Sequence, residues 1–308
     1  LYQKTHSNSG KAEEVFRKTI QLNDSYGPAW SGLGDELRDY HHNYPEAERA
    51  FLKAIELDAD DVYTYGSLGY LYFIYLNRYE EAEKVLQKAI ELNEKESYPW
   101  ALLGQIYRNN YFGLYEKSEY AYKKAIELDK ESSQAWVGIA NLYLDSLKRY
   151  EEAEQSYLQA ISLSSEDTFA YANLARLYAI QNNTAKAETS FRKSLECEKQ
   201  YENLKLQCNL WLNNLDLANQ ALSNLAREAL AGDNKAFAEI KEQCWENQQI
   251  GLGLSLAELM ASNQYSDFLK PFELALRKIN GDDETMKGVP LEVQKLVEEI
   301  LKDIKGNL

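Results

Sequence analysis

An all-α fold, a solenoid of stacked helical hairpins, is what this sequence predicts, and three observations predict it. One motif recurs six times at intervals of 34 to 36 residues. Each recurrence splits into two stretches whose apolar positions fall three and four residues apart, the spacing of one helix face. The composition, with 15 Gly and 5 Pro in 308 residues, favours helix throughout.

The most visible recurrence is "RYEEAEKVLQKAIELN", Arg78 to Asn93, against "RYEEAEQSYLQAISLS", Arg149 to Ser164. Aligned along the chain, this motif places a small residue at Ala12, Ala47, Ala82, Ser118, Ala153 and Ala187. A bulky residue follows four positions later, at Phe16, Phe51, Leu86, Tyr122, Tyr157 and Phe191, and a small one three further on. These positions share one face and define the second helix of each unit. Between them lies another set, anchored on Trp30, Tyr65, Trp100, Trp136 and Tyr171. Three and four residues after each anchor come Leu33-Gly34, Leu68-Gly69, Leu103-Gly104, Ile139-Ala140 and Leu174-Ala175. A large side chain beside Gly or Ala lets a neighbouring helix approach closely, so each unit is a helical hairpin. One hairpin cannot bury its apolar face alone, whereas a stack of them builds a continuous core.

These residues resemble the tetratricopeptide repeat family, whose W-x2-L-G-x2-Y…A-x3-F pattern stands here in "WSGLGDEL", "YGSLGYLY", "WALLGQIY" and "AERAF". The resemblance covers Lys11 to Glu198. It implies a right-handed α-solenoid of the family's helical hairpins and a non-catalytic scaffold or adaptor that binds a protein or peptide. Two departures alter local geometry. The period is mostly 35 because an extra residue sits in the turn inside each hairpin, and Asp, Asn or Ser replaces the usual Pro after the second helix. The expected organisation is a repeat array over 1–198, one half-repeat plus five full repeats, followed by a degenerate helical capping or extension region over 199–308. Past Cys197 the register is lost: Leu206 and Leu222 stand where an anchor and a small residue are due.

Composition excludes several function classes. A formal charge of −15 repels phosphate, so neither nucleic acid nor an anionic membrane surface is an expected partner. The most apolar run, "LGYLYFIYL" at Leu68 to Leu76, is about half the length that spans a bilayer. Three cysteines, Cys197, Cys208 and Cys244, at unrelated spacings fit neither a disulfide framework nor a zinc site and point to a reducing, cytoplasmic compartment. The opening "LYQKTHSNSG" has no initiator Met and no signal-peptide pattern. An alternative therefore stands beside the binding module: a regulatory or sensing arm of a larger effector, such as a bacterial signalling NTPase or protease, with its catalytic domain upstream or on a partner chain.

Catalytic groupings are scarce, and the expectation is no enzyme, no cofactor and no metal. His41 and His42 are adjacent and point apart, and His6 has no pattern around it. "GLGLS", Gly251 to Ser255, lacks the Lys-Ser or Lys-Thr and the preceding strand of a phosphate loop. The acids Glu80, Glu81 and Glu83, with Glu151, Glu152 and Glu154, read as helix starts favoured by the macrodipole.

In the family that this chain resembles, the second face of each first helix lines a concave groove. Here that face carries Asp35 and Asp39; then Tyr63, Ser67, Tyr70 and Ile74 with Phe73; then Tyr98, Leu102, Gln105 and Asn109 with Arg108; then Gln134, Asn141 and Asp145; then Phe169, Asn173, Arg176 and Ile180. The family's lysine and arginine clamp for a terminal carboxylate is matched only in part. The tyrosines instead offer rigid contact area with hydroxyl handles, the composition of protein-binding hot spots, or else they cover one another. The expected partner contacts are Tyr63, Ser67, Tyr70, Phe73, Ile74, Tyr98, Gln105, Arg108, Asn109, Asn141, Asn173 and Arg176. The final amphipathic stretch, Pro290 to Ile304, aligns Leu291, Val293, Leu296, Val297, Ile300, Leu301 and Ile304, a stripe that serves either a homo-oligomer or an intramolecular cap.

Overall fold

The computed structural model describes residues 2–109, 113–282, 286 and 288–307, with side chains between 11 and 302; His6 and Ile304 therefore fall outside the described side chains. Among the described residues there are seventeen α-helices and no strand. They form two compact units, Leu1–Lys130 and Glu131–Leu308. No described helix is long and apolar enough to cross a membrane.

Unit 1 holds α1 (Tyr2–Leu22), α2 (Gly27–Asp39), α3 (Tyr44–Leu57), α4 (Val62–Tyr70), α5 (Tyr79–Leu92), α6 (Ser97–Arg108) and α7 (Tyr115–Leu128). The pairs α2/α3, α4/α5 and α6/α7 are the expected hairpins. In each, the glycine of the first helix lies against the bulky residue of the second. A Cβ on Gly34 would stand 2.6 Å from the Phe51 ring, one on Gly69 2.7 Å from Leu86, and one on Gly104 2.8 Å from Tyr122. No side chain fits there, which is why the Leu-Gly pair recurs. The anchors Trp30 and Trp100 donate their indole N–H to the carbonyls of Asp24 and Glu94, at 2.8 and 3.3 Å, tying each first helix to the loop ahead of it. Asn43 and Asp61 accept backbone N–H groups at the starts of α3 and α4.

The extra residue of the 35-residue period sits inside the hairpin turn. Where Asn183 caps a second helix, its N–H reaches back five residues to the Tyr178 carbonyl, the usual left-handed helix ending. Asn43, Arg78 and Arg149 reach back six, to Leu37, Tyr72 and Tyr143, and Leu114 reaches back seven, to Tyr107. In two hairpins the surplus appears as a π-helical turn, Leu71–Tyr75 and Leu142–Ser146. Every one of these turns puts the residue before the second helix's N-cap at positive φ: His42 at 51°, Asn77 at 53°, Gly113 at 57°, Lys148 at 54° and Asn182 at 58°. Asparagine and glycine tolerate this region; lysine does so at a cost. Lys148→Gly is accordingly expected to stabilise the protein by about 1 kcal/mol in urea unfolding, and an unchanged midpoint would show that the turn relaxes the strain elsewhere.

Unit 2 holds α8 (Ser133–Asn141), α9 (Tyr150–Leu163), α10 (Thr168–Ile180), α11 (Thr184–Glu196), α12 (Glu202–Trp211), α13 (Leu215–Leu230), α14 (Asn234–Gln249), α15 (Gly253–Ser262), α16 (Ser266–Ile279) and α17 (Leu291–Asn307). The hairpin build continues past the point where the sequence register fades. Asn213 has φ 58°, and Asn214 N–H bonds the Asn209 carbonyl at 2.8 Å, repeating Asn182 and Asn183. Four and eight residues after Asn214 come Ala218 and Leu222, both fully buried, in the places of Ala187 and Phe191. The spacing from Ala187 to Ala218 is 31 residues, so a search at a fixed period looks four positions too late. The remaining helices share one core of Leu206, Leu222, Ile240, Met260, Phe272 and their neighbours. Val297, Ile300 and Leu301 of the last stripe are buried in that core, while Leu291 stays exposed.

Candidate partner-binding faces

In unit 1 the partner face expected from the sequence is organised by a residue outside the expected set. Arg38, near the end of α2 and 8% exposed, forks onto Asp39, with Nε and Nη2 donating to its two carboxylate oxygens at 2.7 and 2.8 Å. Its Nη2 also lies 3.0 Å from Asp35 Oδ1. The guanidinium carbon sits 5.3 Å from the centre of the Tyr70 ring and 5.7 Å from that of Phe51. Burial works against the charge, but the two carboxylates outweigh it and raise the Arg38 pKa, so the cation persists. Burial pushes the Asp35 carboxyl up, with Arg38 opposing.

Around this centre lie the tyrosines. Tyr63 donates its hydroxyl to Asp35 Oδ2 at 2.8 Å and leaves its ring 65% exposed. Tyr98 lies across α4 where Gly66 makes room; a Cβ there would meet the Tyr98 ring at 3.2 Å. Burial raises the Tyr98 hydroxyl pKa, with Tyr70 adding to the effect, while the ring keeps an exposed edge. Tyr70 is half-buried, edge-on to Tyr75, which stacks on Tyr44 at 4.7 Å. Gln105, Asn109 and Ile74 are half-buried along the same helices, and Arg108 lies against the buried Tyr122 hydroxyl. Two expected contacts are not surface groups. Ser67 is 5% exposed, and Phe73, within the π-helical turn Leu71–Tyr75, belongs to the hydrophobic core beside Tyr79.

Unit 2 treats the equivalent positions differently. Arg176 on α10 is 1% exposed, with Nη1 2.8 Å from Asp145 Oδ1 and Nη2 3.6 Å from Glu246 Oε1 of α14. Its guanidinium carbon stands 5.1 Å from the centre of the Trp245 ring, and Nη1 also donates to Gln249 Oε1 at 3.1 Å. Asn173 accepts from Arg176, and Asn141 accepts from the Tyr157 hydroxyl. Gln207 and Gln243 donate to Glu246 Oε2 at 3.0 and 2.8 Å. Burial pulls the Arg176 pKa down, and the two carboxylates more than reverse it; burial raises that of Glu246 despite the nearby cation. Arg176 and Asn173, expected at the surface, are thus enclosed by α12 and α14 and are spent on the fold. Their position on the first-helix face is as expected, but α14 arrives from 73 residues along the chain.

The twice-written "RYEEAE" motif also acts within the fold. Arg78 lies 4.3 Å over the Tyr72 ring and pairs with Glu81 and Glu48 at 2.6 and 2.7 Å. Arg149 repeats this, 4.4 Å over Tyr143 and 2.8 Å from Glu152. Glu81 and Glu152 pair locally at helix starts, whereas Glu83 and Glu154 accept from the hydroxyls of Tyr107 and Tyr178 in the next hairpin, at 2.7 and 2.6 Å.

Comparison with known proteins agrees with this geometry. The tetratricopeptide repeat profile matches residues 62–96, 133–167 and 170–201. No curated protein matches the sequence. A tetratricopeptide repeat protein from Parabacteroides merdae is similar in structure, with 19% identity, a TM-score of 0.57, and coverage of 81% of this chain and 93% of that one. Pseudomonas aeruginosa pilF is similar at 16% identity and a TM-score of 0.52, over 71% of this chain and 98% of its own. Resemblance at such identities concerns the fold. Together with the profile match, the Leu-Gly contacts and the hairpin turns, it shows that the chain carries tetratricopeptide repeats and has the helical-hairpin fold of such proteins.

Proposed function

We propose that this chain is a non-catalytic interaction module that takes a protein segment on the tyrosine-rich face of unit 1. The observation that carries the reading is the pairing of exposed rings, Tyr63 and Tyr98, with a rigid base, the buried Arg38 fork beneath them. Rings held in place lose little entropy when a partner arrives, which is what makes aromatic side chains effective anchors. Tyr70, Gln105 and Asn109 border them with hydrogen-bonding capacity. Asn141, Asn173 and Arg176 have no direct part in this reading. The thiols of Cys197, Cys208 and Cys244 are all buried, and burial pushes Cys208 up to about 12, which suits inert thiols in a reducing compartment such as the cytoplasm.

The test is co-purification from the native source followed by titration of the recovered partner. Tyr63→Ala is expected to weaken binding about thirtyfold, a loss on the order of 2 kcal/mol. Thermal stability should hardly change, since the lost hydroxyl bond to Asp35 is exposed. Tyr120→Ala, on the outer helix α7 where the ring is 56% exposed, is the control. If Tyr120→Ala abolished binding and Tyr63→Ala did not, the partner would sit on the second helices instead.

A further inference from the structure

Two hairpins of the array, α6/α7 and α10/α11, are built alike on the side where each second helix faces the second helix before it. Leu103, Tyr107, Lys117 and Lys124 of the one stand where Leu174, Tyr178, Lys186 and Lys193 stand in the other. Their contacts repeat as well. Lys117 lies 5.5 Å over the Tyr107 ring and Lys186 4.7 Å over that of Tyr178, while Lys124 and Lys193 pair with Glu127 and Glu196 at 2.8 and 2.7 Å. Two residues after Ser118, however, Tyr120 sets its ring edge-on to the anchor Trp100, with centroids 5.9 Å apart. The equivalent residue of α11 is Thr189, whereas α3, α5 and α9 carry the long side chains of Arg49, Lys84 and Gln155 there. Thr189 is too short to cover the anchor Tyr171, and its hydroxyl is spent on the Ala185 carbonyl at 2.9 Å. A cavity of about 420 Å³ opens beside Tyr171, walled by Leu158 and Ile161 of α9 and by Leu174, Thr189 and Lys193. It lies inside the array, between α9 and α11, so both of its walls are present. Leu158, 47% exposed, stands where α5 has Gln87 and makes this groove the more apolar of the two.

We propose that this groove receives a tyrosine side chain from a partner protein segment, its ring edge-on to Tyr171 in the place that Tyr120 takes on Trp100, and its hydroxyl toward the Lys193 ammonium. The ring follows from the apolar walls and from the Trp100–Tyr120 pair, which shows what packs on the anchor when this position is filled. The hydroxyl follows from the matched lysines, since the Tyr120 phenol lies close enough to Lys124 to bear on its charge. Lys193 can turn to such a hydroxyl because its pair with Glu196 is solvent-exposed and therefore weak. A protein segment suits the site because Leu158 and Thr189 are both exposed, so the cavity opens outward between them and an entering ring leaves its main chain on the surface. The volume is within the range of ordinary ligand sites.

The probe is the capped peptide Ala-Ala-Tyr-Ala-Ala, titrated into the full chain with labelled leucine and isoleucine methyl groups. Saturable shifts are expected at Leu158, Ile161 and Leu174, with a dissociation constant on the order of 1 mM, as a single buried ring allows. The phenylalanine version should bind about threefold more weakly, and Lys193→Met should erase that difference. Thr189→Tyr supplies the ring from α11 itself. It should abolish the shifts and leave the melting temperature unchanged or higher, since α7 carries tyrosine at this place. Leu158→Gln, a second variant on an exposed side chain, gives α9 the residue of α5 and should weaken binding severalfold. Absence of saturable shifts at these three residues, or binding indifferent to Thr189→Tyr and Leu158→Gln, overturns the proposal. So does saturation of the groove by p-cresol when the peptide does not bind, since the site would then belong to a free phenol.

Discussion

Arg176→Ala should destabilise the protein by about 3–5 kcal/mol, because removal of the cation leaves two carboxylates, Asp145 and Glu246, in the interior without a counter-charge. The cost comes from stranding charge. Neutralising the whole set with Arg176→Met, Asp145→Asn and Glu246→Gln should therefore restore most of the loss. Acid should narrow the deficit of the single variant. Burial raises the Glu246 pKa in the folded state, so folded protein binds more protons than unfolded protein above the ordinary glutamate range, and stability rises as pH falls through that window. Urea midpoints at two pH values measure both effects. A single-variant loss below about 1 kcal/mol would mean that water reaches the network and screens it.

Phe51→Ala should cost about 3–5 kcal/mol, the price of emptying a fully buried aromatic site between α2 and α3. The more informative result is its coupling to Gly34. Gly34→Ala alone puts a Cβ 2.6 Å from the Phe51 ring and should cost about 1–3 kcal/mol through overpacking. In the Phe51→Ala background the same methyl enters vacant space, and Gly34→Ala should become neutral or favourable. A double-mutant cycle reads this directly, and additive costs would show that the glycine serves the backbone rather than the ring. Exchange should accelerate first in α2 through α5, since stacked hairpins rest on their nearest neighbours.

The hairpins of residues 11–198 were legible in the sequence because each contact that builds them is local and repeated: anchor, Leu-Gly pair, small residue, bulky residue. What escaped was non-local or out of step. The α12/α13 hairpin uses the same turn and the same buried pair, but Glu202 stands where Tyr171 stands in the preceding hairpin and the spacing shrinks to 31, so neither anchor nor period announces it. At the candidate site, the placing of Tyr63 and Tyr98 followed from helical spacing alone. Arg38 was overlooked because it lies one position from the expected face, although Asp35 three residues before it is a signal for an intrahelical pair. The fate of Arg176 had no local signal at all, since Trp245, Glu246 and Gln249 reach it from a helix far along the chain.

The hairpin turns, which close over five, six or seven residues, act as slack in an otherwise close-packed stack. Each ends with one residue at positive φ followed directly by the start of the second helix, so an added residue is absorbed before that point and the second helix begins in the same rotational phase whatever the count. Insertions of one or two residues are thereby uncoupled from the packing seam. A residue added or removed at one of these corners is therefore expected to leave the buried face of the second helix where it is.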